Sequence, residues 1–236
     1  MKLALLGFGK MGKTIEGLAL QKGHIIVYKN TSTIEEGSLK EADVAIEFSN
    51  PQAAVGNIYK CFELGIPIVS GTTGWLAELP KVKKDCESRN RTFIYASNFS
   101  IGVHLFFNLN EHLVKLMAPW EDYSAAIEEI HHTQKLDAPS GTAITLAEQI
   151  IDKHPVKENW TLEEEEKEEE KSIFIDAIRT PNVKGTHTVK YTSKIDTISI
   201  KHEANSREGF AKGAILAAEF IKDKKGIFTM KDVLEI

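Results

Sequence analysis

The chain opens on Lys2-Leu3-Ala4-Leu5-Leu6-Gly7-Phe8-Gly9-Lys10-Met11-Gly12-Lys13 after its first Met. A short apolar run ends in a G-x-G-x-x-G turn, and helical spacing follows over Lys13–Lys22. Strand, glycine turn and helix in that order open a dinucleotide-binding βαβ unit. In this reading Gly7 permits the tight turn, Gly9 lets a pyrophosphate approach the backbone, and Gly12 lets helix pack on strand. Gly7, Phe8, Gly9, Lys10, Met11 and Gly12 are therefore cofactor candidates. The next strand is His24–Tyr28. Where NAD-binding chains carry an acid at its end, this one has Tyr28, Lys29 and Asn30. Lys29 is suited to a 2′-phosphate, which tilts the expectation towards NADPH; a solvated strand-end lysine is the alternative.

Beyond that strand, Thr31–Lys40 is too short and polar for a long crossover helix, so this half of the sheet is trimmed. Strands at Val44–Phe48, Ile66–Val69 and Thr92–Ala96 alternate with helices at about 52–64 and 75–89. This alternation predicts an α/β fold, a Rossmann-like doubly wound parallel sheet. Small residues after two strands, Gly71-Thr72-Thr73 and Ser97-Asn98-Phe99-Ser100, leave room for a ligand at the strands' C-terminal ends. The pattern then changes. A long helix over Ile101–Ala118 carries Leu105, Leu109, Leu113 and Leu116, and Ser124–Ile130 alternates like a strand. A helix begins at Ser140, and strands follow at Ile173–Arg179, Thr186–Thr192 and Thr197–His202. These form an inserted α+β domain with an open mixed sheet, whose free face is available to another subunit. Helix Phe210–Ile221 returns to the first domain. The expected division is 1–101 with 207–236 for the dinucleotide, and 102–206 for substrate and oligomerisation, with hinges near 100–102 and 205–207. The acidic run Glu163–Glu170 reads as solvated surface.

Chemistry concentrates in residues 129–143, Glu-Ile-His-His-Thr-Gln-Lys-Leu-Asp-Ala-Pro-Ser-Gly-Thr-Ala. His131 and Lys135 are the candidates for proton transfer. Four residues apart, they share a face whether the segment is extended or helical, while His132 points elsewhere unless the strand breaks there. The helix start at Ser140-Gly141-Thr142 offers bare N–H groups to a carboxylate, so with Lys135 and His132 it suits a small dicarboxylate. A structural histidine pair, a surface Lys135–Asp137 ion pair and an ordinary serine cap are the bland alternatives.

The composition is that of a soluble globular chain: 236 residues, 42% hydrophobic, 27% charged, net charge -5. That charge argues against nucleic acid and against an anionic membrane surface. No apolar run reaches the about 18 residues needed to span a bilayer. Cys61 and Cys86 lack metal-binding spacing, so no metal is expected, and two free thiols fit the cytoplasm.

The stretch 129–143 resembles the signature E-x-H-H-x-x-K-x-D-x-P-S-G-T-A of the 4-hydroxy-tetrahydrodipicolinate reductase family, also called dihydrodipicolinate reductase. The likeness continues in Gly7–Gly12, in Gly71-Thr72-Thr73-Gly74, and in Ser97-Asn98-Phe99-Ser100-Ile101-Gly102-Val103. It extends to Arg179, Gly185-Thr186-His187-Thr188-Val189, His202, and Arg207 with Phe210-Ala211-x-Gly213-Ala214. The resemblance implies His131 as acid/base residue and Lys135 as second proton donor. It implies His132, Ser140, Gly141 and Thr142 on the substrate, and NADPH or NADH held by Gly7–Gly12, Gly71–Thr73 and Ser97–Ser100. It also implies reduction of (2S,4S)-4-hydroxy-tetrahydrodipicolinate with loss of water, on the route to diaminopimelate and lysine, by a homotetramer. The chain departs from the family in a glycine loop one residue shorter, Lys10 for the usual Arg, no acid after the second strand, and a shortened segment between strands two and three. The rival readings are another two-domain nicotinamide dehydrogenase of amino-acid metabolism and a non-enzymatic NAD(P)H sensor. An aldehyde-oxidising enzyme needs a nucleophilic Cys at the domain junction, and a sensor has no need of the His131/Lys135 pair.

Overall fold

A computed structural model of the chain describes residues 1–31, 33–163, 171–206 and 208–236. The chain divides into two compact units, Met1–Ile101 with Arg207–Ile236, and Gly102–Ser206.

In the first unit, β1 (Lys2–Leu6) leads through the glycine turn into α1 (Lys10–Gln21), then β2 (Ile25–Asn30) and β3 (Glu35–Gly37). Next come β4 (Val44–Glu47), α2 (Pro51–Leu64), β5 (Ile68–Ser70), α3 (Leu79–Ser88) and β6 (Thr92–Tyr95). The second unit holds α4 (Ile101–Met117), β7 (Ser124–His131), α5 (Gly141–Lys153), β8 (Asn159–Thr161), β9 (Ser172–Arg179), β10 (Thr186–Thr192) and β11 (Thr197–Glu203). The chain returns to the first unit with α6 (Glu208–Ile221), β12 (Gly226–Phe228) and α7 (Met230–Leu234).

The first sheet runs β12-β6-β5-β4-β1-β2-β3, parallel except for the β2–β3 pair. Its order reverses between β1 and β4, so the C-terminal ends of these two strands flank the crevice where ligands bind in open α/β sheets. The helices are cut by local chemistry. At the start of α2 the Asn50 side chain accepts the Ala53 N–H at 3.0 Å, Pro51 occupies a first-turn position that needs no donor, and Gly65 closes the helix in the left-handed region. Small residues let α6 approach closely: Ala211, Ala214, Ala217 and Ala218 are all fully buried against Leu3, Leu5, Ile46 and Ile94. The opposite face is covered by Ala54, Ile58, Cys61 and Phe62 of α2 and by Val82 and Cys86 of α3.

The second sheet runs β11-β10-β7-β9-β8 and is mixed, antiparallel across β11-β10-β7 and parallel across β7-β9-β8. Strand β7 alternates strictly, burying Ala125, Ile127, Glu129 and His131 on one face. That face packs with Ala143, Leu146, Ala147 and Ile150 of α5 and with Val103, Phe106, Phe107 and Val114 of α4.

The structure adds to or departs from the sequence reading at four points. The leucine stripe of α4 is outward: Leu105, Leu109 and Leu116 are exposed, and the buried side is Val103, Phe106, Phe107, Asn110, Val114 and Met117. The helix is apolar on two sides, and the bulkier aromatic side makes the core. The helix expected over 75–89 splits into a short 3-10 turn, Leu76–Glu78, and α3, because Pro80 has no N–H to continue the first turn. The trimmed segment after β2 contains β3 and a 3-10 turn at Leu39–Glu41; β3 is exposed throughout, so it has no apolar alternation to read. Strand β7 reaches His131, one residue beyond the expected end. Residues 164–170 of the acidic run, and Arg207, lie outside the described residues.

Candidate active site

The glycine turn of the first unit is built for close approach. Gly7 has φ +95°, and a Cβ there would stand 2.1 Å from the Phe48 carbonyl oxygen of the neighbouring strand end. Only glycine satisfies both conditions. Its N–H donates to Asn30 Oδ1 at 2.9 Å, and Phe8 N–H donates to the Asn30 carbonyl at 2.8 Å, so the turn is laced to the end of β2. Gly9 stands at the N-cap of α1 with open space beside it and no side chain capping the helix. The first-turn N–H groups of α1 thus remain for an anion.

Two cavities open on this turn. One of about 320 Å³ is lined by Gly7, Phe8, Gly9, Asn30, Phe48, Ser49 and neighbours. The other, about 390 Å³, is lined by Gly9, Lys10, Met11, Phe48, Ser49, Gly71, Thr72 and Thr73. A bare helix start, a glycine-rich turn and cavities along it fit a dinucleotide. Ser97, Asn98, Phe99 and Ser100 line neither cavity. The Phe99 ring is buried against Phe48 at 5.8 Å, and Asn98 Oδ1 accepts the Ser100 N–H at 2.8 Å. Lys29 also lines neither; its Nζ lies 3.3 Å from Glu16, 3.5 Å from Glu36 and 4.7 Å from the Phe8 ring centroid. One buttress was invisible in the sequence. Glu47, fully buried at the end of β4, accepts from Ser70 Oγ (2.7 Å), Thr72 Oγ1 (2.7 Å) and Ser49 N–H (3.0 Å), fixing the loop at Gly71–Thr73.

In the second unit, residues 129–143 turn out to be a strand end, a turn and a helix start. The chain turns after His131, with Lys135 N–H on the His132 carbonyl at 3.1 Å. Lys135 is therefore on neither a strand nor a helix with His131, and the shared face expected from their spacing does not apply. Lys135 Nζ is bound to the Asp137 carboxylate at 2.6 Å, and Asp137 is largely exposed. Such a pair contributes about 1 kcal/mol or less, so Lys135 is easily released to a ligand.

At the centre lies Glu129, with no exposed surface. Its two oxygens receive the Ser140 N–H at 3.1 and 3.0 Å, and Arg179 Nη2 at 3.1 Å. His131 Nδ1 stands 3.5 Å and His187 Nε2 3.7 Å from Oε2. The register explains this meeting: His187 on β10 is directly opposite Glu129, and Arg179 on β9 is opposite His131. Burial pushes the Glu129 carboxyl up, but the close approach of His187, the Ser140 side chain and backbone N–H, and the field of His131 outweigh it and hold the carboxyl at about 2. Burial lowers His131 to about 4 despite the pull of Glu129; His187, Lys135 and Arg179 push it the same way. His131 is therefore neutral at pH 7.

Ser140 caps α5, its Oγ accepting the Ala143 N–H at 3.2 Å and lying 3.1 Å from His187 Nε2. Gly141 is exposed and Thr142 half-buried, as an anion site on the first turn requires. His132 does not join the Glu129 cluster; its Nδ1 is buried without a partner among the described residues. Glu129, His131 and His187 bring metal-ligand atoms within 4.8 Å of one another. Arg179 and the Ser140 N–H already occupy the carboxylate, however, and the guanidinium opposes a cation. No helix among the described residues is long and apolar enough to cross a membrane.

Two family models match. One described as dihydrodipicolinate reductase, N-terminus, covers residues 1–99, and one described as dihydrodipicolinate reductase, C-terminus, covers 102–234. The 4-hydroxy-tetrahydrodipicolinate reductase of Christiangramia forsetii is 55% identical over 99% of this chain and 98% of its own. That of Staphylococcus aureus strain MRSA252 is 35% identical over 99% and 100%. Among solved structures, a dipicolinate-bound dihydrodipicolinate reductase from Paenisporosarcina sp. TG-14 has a similar fold, with TM-score 0.75 at 22% identity and 97% of each chain covered.

Proposed function

The chain belongs to the dihydrodipicolinate reductase family, and on that premise we propose that it reduces (2S,4S)-4-hydroxy-2,3,4,5-tetrahydrodipicolinate to tetrahydrodipicolinate with loss of water, in diaminopimelate and lysine biosynthesis. The observation that carries this is the family likeness along both units, joined to a buried acid/base cluster beside an anion-binding helix start. NAD(P)H, when bound, supplies the hydride. Gly7–Gly12, Gly71–Thr73 and Asn30 hold it, and Ser97–Ser100 close the same side of the sheet's C-terminal ends. The first-turn N–H groups of Gly141 and Thr142, with Lys135 and His132, take the two substrate carboxylates. His131 delivers the proton the reaction consumes, and Lys135 is the second donor. The test is substrate-dependent oxidation of NADH or NADPH by the purified chain.

A neutral His131 has to gain its proton before giving it. A dicarboxylate brought beside it adds negative charge and raises its proton affinity towards neutrality. The complex then holds more protons than the free protein above pH 4, so binding tightens as pH falls. Dipicolinate binding is expected to take up about half a proton at pH 7 and close to one near pH 5.5, with Kd tightening by up to about tenfold per pH unit from pH 7 to 5. Calorimetry in buffers of different ionisation enthalpy measures this. Zero uptake, or weaker binding at low pH, contradicts it.

Both NADH and NADPH serve in this reading, because Lys29 is already balanced by Glu16 and Glu36. Glu36→Gln frees part of that charge and is expected to lower KM for NADPH about 3- to 10-fold, with KM for NADH within twofold. Equal changes for both cofactors would remove Lys29 from the account. The reading also includes a homotetramer formed through the open sheet of the second unit, supported by the exposed Ile198 on the edge strand β11 and Ile195 in the turn before it. A cytoplasmic location is supported by two free, buried thiols, Cys61 and Cys86.

A further inference from the structure

Glu129 is the most heavily engaged side chain of the second unit, yet a role for it in proton transfer is not contained in the assignment of His131 and Lys135. It is buried, ionised and acceptor-only, and it faces the Nδ1 edge of His131 at 3.5 Å. Nδ1 is buried and has no hydrogen-bond partner among the described residues, so this carboxylate oxygen is the acceptor that faces it. The opposite ring nitrogen faces away: Nε2 lies towards Gly185, where an added Cβ would come within 3.2 Å of it. The absent side chain leaves that space to a ligand.

A neutral imidazole carries one N–H, and the partner of one nitrogen decides the state of the other. With its lone pair aimed at a carboxylate, Nδ1 is repelled; with a proton there, it is attracted. We propose that Glu129 is a positioning residue that holds the His131 proton on Nδ1, so that Nε2 faces the substrate as the atom that takes up and delivers the reaction's proton. This rests on the reductase reading above. Glu129 is itself immobilised. The Ser140 N–H spans both its oxygens, Arg179 bonds it and the Asp137 carbonyl at 2.6 Å, and His187 stands on its other side, held by Ser140 Oγ. When His131 becomes charged, the same carboxylate opposes the unfavourable fields of His187, Lys135 and Arg179, the other charged or titratable groups around it.

The test reads the tautomer directly. Long-range 15N–1H correlation of the imidazole, assigned by its loss in His131→Gln, is expected to show an Nδ1–H tautomer in the wild-type protein at pH 7.5. In Glu129→Gln the Nε2–H form becomes substantial, kcat falls about 100-fold and KM stays within about threefold. Glu129→Asp, which keeps the charge, recovers at least about tenfold of the lost kcat. An Nε2–H tautomer in the wild type overturns the proposal. So does a fall in kcat with an unchanged tautomer, or a Glu129→Asp variant as impaired as Glu129→Gln. If Glu129→Gln does not fold, the wild-type tautomer and the Asp variant decide. A wild-type protein without reductase turnover would sink the reaction, whereas the tautomer measurement would still decide the role of Glu129.

Discussion

Substituting His131 by Gln is expected to lower kcat by about 10²- to 10⁴-fold, the range in which positioned acid/base groups contribute. The expectation rests on placement. His131 is buried at the end of β7, beside a carboxylate that stabilises its charged form and within the field of Lys135. Gln keeps the volume and hydrogen bonding but cannot carry a proton. Lys135→Ala should cost less, about 10- to 100-fold, because the helix start and His132 still hold an anion after the lysine is lost. The double variant should fall well short of the product of the two losses, since both groups serve one proton transfer. Cofactor affinity, followed by the fluorescence of bound NADH, should be unchanged in all three, because the glycine turn belongs to the other unit. A His131→Gln enzyme within about fivefold of wild type would remove His131 from proton transfer.

Gly213→Ala is expected to be the most damaging single methyl in the first unit. A Cβ at Gly213 would lie 1.7 Å from the carbonyl oxygen of Phe99 and 2.9 Å from its carbonyl carbon. The obstacle is backbone, so no side-chain rotation relieves it; α6 must move off the loop that follows β6. The expected loss is about 3 kcal/mol or more, a fall in Tm of about 10 °C. The displaced loop is Ser97–Ser100, so KM for the cofactor should rise as well. Gly17→Ala in α1 is the control. Its Cβ meets nothing within 4 Å, and replacing a helical glycine there should be neutral or stabilising by about 0.5–1 kcal/mol. Equal melting temperatures for the two variants would contradict the packing argument.

How much of this was readable before folding depends on whether a feature is local. The β1–turn–α1 unit was legible because every part is adjacent in sequence: apolar run, three glycines, amphipathic helix. The Ser140 cap was legible for the same reason. The buried face of α4 was not legible because two apolar stripes compete on one helix, and local spacing does not say which meets the sheet. Lys135 was placed by periodicity across a segment where the period changes, since the strand ends at His131. Glu129 and His131 share a face by simple alternation, which was available. His187 and Arg179 join them only through strand register, fixed by pairing some 50 residues away. Glu47 needed the same knowledge, as its partners Ser70 and Thr72 come from the adjacent strand and loop.

In the proposed reaction the Glu129-supported His131 supplies a proton and the glycine-turn unit holds the hydride donor. The most direct test couples the purified chain to dihydrodipicolinate synthase, which makes the hydroxylated substrate, and follows NADH and NADPH absorbance at 340 nm. Oxidation is expected to depend on both synthase product and enzyme, and to be lost in the His131→Gln, Lys135→Ala double variant. A folded wild-type protein that binds NADH yet oxidises neither cofactor in the presence of that substrate would contradict it.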